Sequence, residues 1–326
     1  MIDQFGRSVE YLRVSITDKC NLRCVYCMPL EGLPWLQRDE LLSYEEIEQI
    51  VRVMAPMGLE RLRITGGEPL VRRDVPELVK LLAAVPGIRD LSLSTNAVLL
   101  AEQADALKAA GISRLNVSLD SLQEDRVDRI ARRPGSYPKI MEGLAAAEEA
   151  GFSPIKINVV LIRGENDDEV RDFAEITREH PWHVRFIEMM PTGANLDLSS
   201  QQFISCAEVL RRVREIDALE PVPGPFGNGP AEYYQFPGSP GTIGVITPMS
   251  HNYCDRCNRM RLTADGQLRP CLFGDLQTNL RDPLRAGEDL APHIEATLRI
   301  KPERHYLIQG SDSGSGGLVA LSQTGG

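Results

Sequence analysis

From residue 12 to residue 189, short runs of β-branched and other apolar residues alternate with longer stretches of helical periodicity. The strand-like runs are 12–17, 61–65, 91–95, 114–119, 155–161 and 184–189. Ser43, with Glu46 three residues later, predicts a capping box at the start of the first helix. The series predicts repeated βα units around a parallel sheet. Periodicity is compatible with both an open doubly wound sheet and an incomplete (βα)6 barrel.

The amino-acid composition of the chain changes near residue 219. The segment that follows, 219–244, is rich in proline and glycine and poor in helical pattern. We therefore predict two domains, a larger one over residues 1–218 and a smaller one over residues 219–326. The last residues of the chain are rich in glycine and serine, a composition typical of flexible segments.

Composition and charge restrict the class of protein. The 326 residues are 42% hydrophobic and 25% charged, with a formal net charge of −10. An acidic balance argues against a general nucleic-acid binder, although a local group of arginines can still hold a small anion. The sequence contains no apolar run long enough to span a bilayer and no secretory h-region near its start. We expect a cytoplasmic protein without a membrane partner, in a compartment where thiols stay reduced.

Polar residues and glycines gather where the predicted strands end. Residues 17–27 follow the first strand, Gly-Gly-Glu-Pro at 66–69 follows the second, and 94–96 closes the third. Ser118 lies at the end of the fourth strand and Met190 directly after the sixth. Because the carboxyl ends of parallel strands share one edge of a sheet or one face of a barrel, we expect these residues to form the site.

Three cysteines follow the first strand in a C-x3-C-x2-C pattern, Cys20, Cys24 and Cys27. We call this set the first trio. Thiolates are ligands for iron–sulfur clusters, zinc or copper(I). Three cysteines can hold three corners of a [4Fe–4S] cube and leave the fourth iron open for chemistry, whereas electron-transfer clusters usually have four protein ligands. The alternative is a zinc site completed by a distant histidine.

A second trio, Cys254, Cys257 and Cys271, follows the pattern C-x2-C-x13-C. It predicts another cube with an open iron, with a zinc ribbon that uses His251 as the alternative. Arg259 and Arg261 lie between these cysteines, and on an extended stretch they would point the same way. Two guanidiniums beside a metal suit a phosphate-bearing substrate, and a solvated charged strand is the alternative. The seventh cysteine, Cys206, is predicted to be a buried apolar side chain.

The first trio, with Tyr26 before its last cysteine and Gly-Gly-Glu-Pro after the second strand, resembles the radical S-adenosylmethionine (SAM) superfamily. From about Phe5 to the last residue, the chain resembles the GTP 3′,8-cyclase family of molybdenum cofactor biosynthesis. The motifs that carry this resemblance are RVSITDKCNLRCVYCMP, RLRITGGEPLVRRD, NVSLDSL, KIN, RFIEMMP, FGNGPAEYY, C-x2-C-x-R-x-R-L-T-A-D-G with Cys271, and the terminal Gly-Gly. Their conjunction in this order is specific.

The resemblance implies an incomplete (βα)6 radical SAM barrel with a smaller C-terminal domain, and two [4Fe–4S] clusters held by the two trios. SAM would bind the open iron of the first cluster and be contacted by Tyr26, Gly67, Ser118 and Met190. Its cleavage would yield a 5′-deoxyadenosyl radical that removes the ribose 3′ hydrogen of GTP. Attack on C8 of guanine and a one-electron reduction would follow, with guanine bound to the open iron of the second cluster.

The resemblance also implies how the substrate is held. The triphosphate of GTP would be contacted by Arg13, Arg63, Lys156, Arg259 and Arg261, and by a hydroxyl of Ser94 or Thr95. Family members usually carry threonine at both of the last two positions. Gly325 and Gly326 would reach into the active site, although Thr324 stands where relatives often have a larger apolar residue.

The family further implies three partners: a reducing electron donor, a second copy in a homodimer, and cyclic pyranopterin monophosphate synthase as the recipient of the product. Other classes of protein remain open at this point. They are another two-cluster radical SAM enzyme such as a peptide-modifying maturase, a non-enzymatic iron–sulfur carrier or sensor, and a structural zinc protein.

Overall fold

The computed structural model describes residues 1–191, 201–225, 229–305 and 321–324. Gly325 and Gly326 lie outside the described residues, so their expected role stays a prediction. Across the described ranges, no helix is both long enough and apolar enough to cross a membrane.

Twelve strands form one sheet in the described part of the chain. They are β1 (Tyr11–Ser15), β2 (Arg61–Thr65), β3 (Asp90–Thr95), β4 (Arg114–Ser118), β5 (Ile155–Val160), β6 (Trp182–Ile187), β7 (Glu220–Val222), β8 (Glu232–Gln235), β9 (Thr242–Ile246), β10 (Arg259–Leu262), β11 (Gln267–Arg269) and β12 (Thr278–Asn279). All six predicted strands are present as β1 to β6, with ends that differ from the prediction by at most two residues.

Ten α-helices accompany these strands over the same described ranges. They are α1 (Tyr44–Met54), α2 (Val75–Ala83), α3 (Ala104–Ala110), α4 (Glu124–Ala131), α5 (Ser136–Glu149), α6 (Val170–Glu179), α7 (Cys206–Arg214), α8 (Arg281–Arg285), α9 (Ala291–Arg299) and α10 (Leu321–Thr324). The predicted capping box is confirmed, because Ser43 Oγ accepts from Glu46 N and the Glu46 carboxylate accepts from Ser43 N.

Strands β1 to β6 lie side by side in chain order, and every neighbouring pair is parallel. Parallel crossovers are right-handed, so a strand order without reversal places all the connecting helices on the same side of the sheet. A doubly wound sheet requires a reversal of the strand order. The topology therefore selects the incomplete barrel of the two predicted alternatives.

Residues after 219 extend both edges of this barrel. Strand β10 pairs in parallel with β1, and β11 and β12 continue that edge in antiparallel fashion. At the opposite edge β9 pairs in parallel with β6, followed by antiparallel β8 and β7. The C-terminal third thus shares its sheet with the barrel, and the division at residue 218 stays a prediction.

Alternation along the strands divides the barrel into an apolar outside and a polar inside. Val14, Ile64, Leu93 and Val117 are fully buried in the core between strands and helices. The residues between them on the same strands, such as Arg13, point the other way, and many are charged or polar. This arrangement lets an ordinary apolar core support an interior made of ionic groups.

Candidate active site

A chamber of about 1460 Å³ opens at the carboxyl ends of the barrel strands, and all three cysteines of the first trio line it. A second cavity of about 530 Å³ is lined by all three cysteines of the second trio. The two cavities share five lining residues, Pro248, Tyr253, Arg259, Arg261 and Leu272. The trios therefore face one continuous space, to which β10 contributes a common wall.

The loop of the first trio is held by backbone contacts on two sides. Arg23 N and Val25 N donate to the last carbonyls of α4, at Ala131 and Ile130. On the other side, Gly67 N donates to Thr17 O at 2.8 Å. A Cβ at Gly67 would lie only 2.5 Å from a carbonyl oxygen of this loop. The glycine is thus needed for close approach of backbone to backbone.

Glu68 links the glycine turn to the end of β3. Its carboxylate accepts from Thr95 Oγ1 at 2.8 Å, from Asn96 N at 2.6 Å and from Leu70 N at 3.0 Å. Burial raises the pKa of Glu68 to about 7, although these hydrogen bonds oppose the shift. Because the Thr95 hydroxyl is used here, Ser94 supplies the hydroxyl of the pair that is not committed to Glu68.

Tyr26 is fixed by a carboxylate from the opposite side of the chamber. Its hydroxyl donates to Asp120 Oδ2 at 2.7 Å, and Asp120 Oδ1 accepts from Val160 N at 2.8 Å. Burial raises the pKa of Asp120 to about 6. Ser118 and Met190 line the same chamber, so the four residues predicted to contact SAM are brought together with the first trio.

The state of the cysteine thiols indicates whether a metal cluster can bind at the first trio. All seven cysteines are free thiols. Burial raises the pKa of Cys20 to about 11 and that of Cys24 well above its ordinary value, so a thiolate at either position needs a cation beside it. Metal ions coordinated by thiolates meet that need, and an iron–sulfur cluster therefore fits the first trio. Within the described ranges, no three His, Cys, Asp or Glu side chains are placed to hold a single metal ion.

The wall between the trios is strongly cationic. Five arginines line the chamber, and we call them the arginine wall: Arg13, Arg63, Arg185, Arg259 and Arg261. The Nε atoms of Arg63, Arg185 and Arg259 are buried without a hydrogen-bond partner among the described residues. Burial and the charge of Arg259 lower the pKa of Arg261 to about 10. Buried guanidinium nitrogens that lack a partner are costly, and a polyanion with several oxygen acceptors would satisfy them.

Arg185 was missed by the sequence analysis. It lies in the middle of β6, and its Nη2 donates to Asn116 Oδ1 at 2.8 Å and to Asn158 Oδ1. The available signal was alternation, because Val184 and Phe186 on either side are apolar and buried. A charged residue between two core positions of a barrel strand must point inward.

Lys156 does not line the chamber. It is paired in register with Asn116 on β4 and His183 on β6 and is almost fully buried. Burial, and then the charges of Arg185 and its neighbours, lower its pKa to about 6. Lys156 therefore lies behind the lining of the chamber, and its contact with phosphate stays a prediction.

The C-terminal segment reaches the arginine wall. Leu321 lines the chamber, and Arg261 Nη1 donates to Thr324 O at 3.1 Å. The Thr324 hydroxyl donates to Leu321 O, so the polar residue at this position is satisfied within α10. His251, the predicted fourth zinc ligand, is exposed and is absent from the lining of the second cavity, where His305 lies instead. Cys206 is buried as predicted.

Among solved structures, SuiB of Streptococcus suis is similar in fold, with a TM-score of 0.60 at 16% sequence identity, over 89% of this chain and 68% of that chain. Residues 14–176 match the model of the Radical SAM superfamily, and residues 182–307 match that of Molybdenum Cofactor Synthesis C.

Two curated relatives are similar over nearly the whole chain. A GTP 3′,8-cyclase of Moorella thermoacetica is 46% identical over 100% of both chains. A GTP 3′,8-cyclase of Petrotoga mobilis is 47% identical over 95% of this chain and 96% of that protein. The full-length match favours a cyclase over a peptide-modifying maturase, a non-enzymatic iron–sulfur protein or a zinc protein. The chain belongs to the GTP 3′,8-cyclase family of radical SAM enzymes in molybdenum cofactor biosynthesis.

Proposed function

We propose that this cyclase holds SAM at the first trio and GTP across the arginine wall, with its guanine at the second trio. The observation that carries the proposal is the junction of the two cavities: each trio lines one of them, the two share five lining residues, and buried arginine nitrogens without described partners line them. A nucleoside triphosphate suits this arrangement, because its base can bind at the second trio while its polyanionic phosphates contact the arginines.

We assign one [4Fe–4S] cluster to each trio; when bound, the first would supply the electron that cleaves SAM and the second an open iron for the base. Cys20, Cys24 and Cys27 would hold the first cluster. Cys254, Cys257 and Cys271 would hold the second. Tyr26, whose hydroxyl is anchored on Asp120, orients SAM together with Gly67, Ser118 and Met190.

The triphosphate is assigned to Arg13, Arg63, Arg259 and Arg261, with Arg185 added from the structure. Ser94 is the hydroxyl that we assign to GTP, because Thr95 donates to Glu68. Lys156 is assigned to the triphosphate as well, and it would become protonated when the triphosphate binds. These contacts would fix the ribose so that its 3′ hydrogen faces the 5′ carbon of the deoxyadenosyl group, which is a positioning task.

The product assigned to the chain is (8S)-3′,8-cyclo-7,8-dihydroguanosine 5′-triphosphate. A reducing electron donor, a homodimer and transfer of the product to cyclic pyranopterin monophosphate synthase remain predictions from the family. The role of Gly325 and Gly326 as an active-site tail likewise remains a prediction from the family.

The direct test is an assay with anaerobically reconstituted protein, GTP, SAM and a reductant. We expect 5′-deoxyadenosine and a GTP-derived cyclised product in equal amounts by mass spectrometry. Deoxyadenosine without a nucleotide product would leave a radical SAM enzyme whose substrate is not GTP.

Arg185→Met tests the residue that the sequence analysis missed. Hydrogen bonds to charged groups contribute about 1.5–3 kcal/mol, so we expect the Kd for GTP to rise about tenfold or more. The Kd for SAM should stay unchanged, because we assign Arg185 to the triphosphate and not to SAM. Anaerobic calorimetry measures both, and Arg52→Met, at an exposed ion pair on α1, is the control. Equal weakening of SAM and GTP would contradict the assignment.

The lowered pKa of Lys156 leads us to expect that GTP binding depends on pH. Its pKa of about 6 leaves it mostly neutral at pH 8, and a bound triphosphate favours its charged form. Binding at pH 8 should therefore take up about one proton, and affinity should fall as pH rises above about 6. Calorimetry in buffers of different ionisation enthalpy counts the protons.

The matched variant is Lys156→Met, in which the proton uptake at pH 8 should disappear. Uptake that persists unchanged in this variant would show that Lys156 is not the group that binds the proton.

A further inference from the structure

A buried lysine far along the chain contacts the second trio. Lys301 follows α9 and is only 2% exposed. Its Nζ lies 3.4 Å from Cys257 Sγ, 2.9 Å from Arg259 O and 2.7 Å from Pro270 O. Arg259 follows Cys257 by two residues, and Pro270 directly precedes Cys271. One amino group therefore contacts the sulfur of Cys257 and the backbone next to both Cys257 and Cys271.

These contacts define the charge on Lys301. Three acceptors surround Nζ, and only an ammonium has three N–H donors to offer them. In the described part of the chain, no carboxylate forms an ion pair with Lys301. A buried ammonium requires a negative partner, and the thiolate of Cys257 is the acceptor that can supply the charge.

Cys257 differs from the other cysteines in its surroundings. Its Sγ accepts from the buried Lys301 Nζ at 3.4 Å. At the other two cysteines of the second trio, the described charged contacts run through the backbone: Arg7 Nη1 donates to Cys254 O, and Lys301 Nζ donates to Pro270 O beside Cys271. These contacts place the ammonium at the sulfur of Cys257.

The position of Lys301 is set by the N-terminal segment. Arg7 Nη1 donates to Cys254 O at 2.7 Å and to Glu303 O at 2.8 Å, and its Nη2 donates to Pro302 O at 2.7 Å. Asp3 holds the Arg7 guanidinium from the other side at 2.6 Å. This buried pair clamps the turn of Cys254 to the segment of Lys301, and it thereby helps to hold the ammonium beside Cys257.

We propose that Lys301 is a positioning residue that tunes the second cluster, donating a charged N–H···S hydrogen bond to Cys257 and raising the cluster's reduction potential. Hydrogen bonds to ligand sulfurs, together with net charge, set the potentials of iron–sulfur clusters. A positive charge beside the thiolate favours the reduced state, which carries one more electron. This inference rests on the proposed function in one respect, the binding of a [4Fe–4S] cluster by the second trio.

The test uses the full chain with the first trio replaced by serine, so that spectra report the second cluster alone. In this parent, Lys301→Gln keeps a hydrogen-bond donor but removes the charge, whereas Lys301→Arg keeps the charge. At a fixed ambient potential near the parent's midpoint, we expect the reduced-to-oxidised ratio to fall about tenfold in the glutamine variant. The arginine variant should stay close to the parent.

Reduction is followed by electron paramagnetic resonance, with iron and sulfide content measured on the same samples. Lys80→Gln is the matched control, because it removes an equal charge at an exposed position on α2. Its ratio should equal that of the parent.

Three results would overturn the proposal: an unchanged ratio in Lys301→Gln, equal falls in the glutamine and arginine variants, or loss of the cluster in both while the chains stay folded by circular dichroism. The last two would leave Lys301 a purely structural residue. A parent that assembles no cluster would instead overturn the cluster assignment of the second trio, and the role of Lys301 with it.

Discussion

The barrel interior holds several buried arginines whose positive charges repel one another. The rest of the site has to accommodate this buried charge. Arg13, Arg63, Arg185 and Arg261 converge on one wall, and Lys156 lies beneath them. Unit charges a few ångströms apart repel by about 4 kcal/mol at an effective dielectric constant of 20. Burial and this repulsion together lower the pKa of Arg13 well below its ordinary value. The apolar core outside the strands must support an interior that favours binding of a polyanion.

The sheet itself couples the arginine wall to the second trio. Strand β10 starts two residues after Cys257 and pairs in register with β1, so that Arg261 lies opposite Arg13. Strand β10 thus joins one cysteine set to the barrel that carries the other. The Gly-Gly turn performs the corresponding task at the first trio, where it lets the end of β2 contact the cysteine loop. The distance between the two trios is therefore a property of the sheet.

Local pattern was sufficient to predict the elements and much of the site. Strands β1 to β6, the capping box at Ser43 and the gathering of polar residues at the strand ends follow from alternation and turn chemistry. The pattern did not predict that the C-terminal strands extend both barrel edges, because pairing partners distant in sequence leave no periodic signal.

Contacts between residues distant in sequence also explain which functional residues the sequence pattern did not reveal. Lys301 lies 30 positions after Cys271, and only the packing of α9 and the Arg7 clamp bring it to the thiolate. Its sequence neighbourhood is that of an ordinary helix end with a proline after it. That Lys156 contacts phosphate stays a prediction, and its register on β5 sets how deep it lies in the barrel. Depth and long-range contact are tertiary properties.

In the proposed mode of binding, one chamber holds the ribose of GTP against the carbon of SAM that becomes the radical. A single-turnover reaction of the reconstituted enzyme with GTP deuterated at C3′ tests this arrangement. We expect deuterium in the methyl group of 5′-deoxyadenosine, in step with formation of the cyclised nucleotide. Unlabelled deoxyadenosine beside a cyclised product would contradict it, because the hydrogen would then come from another position.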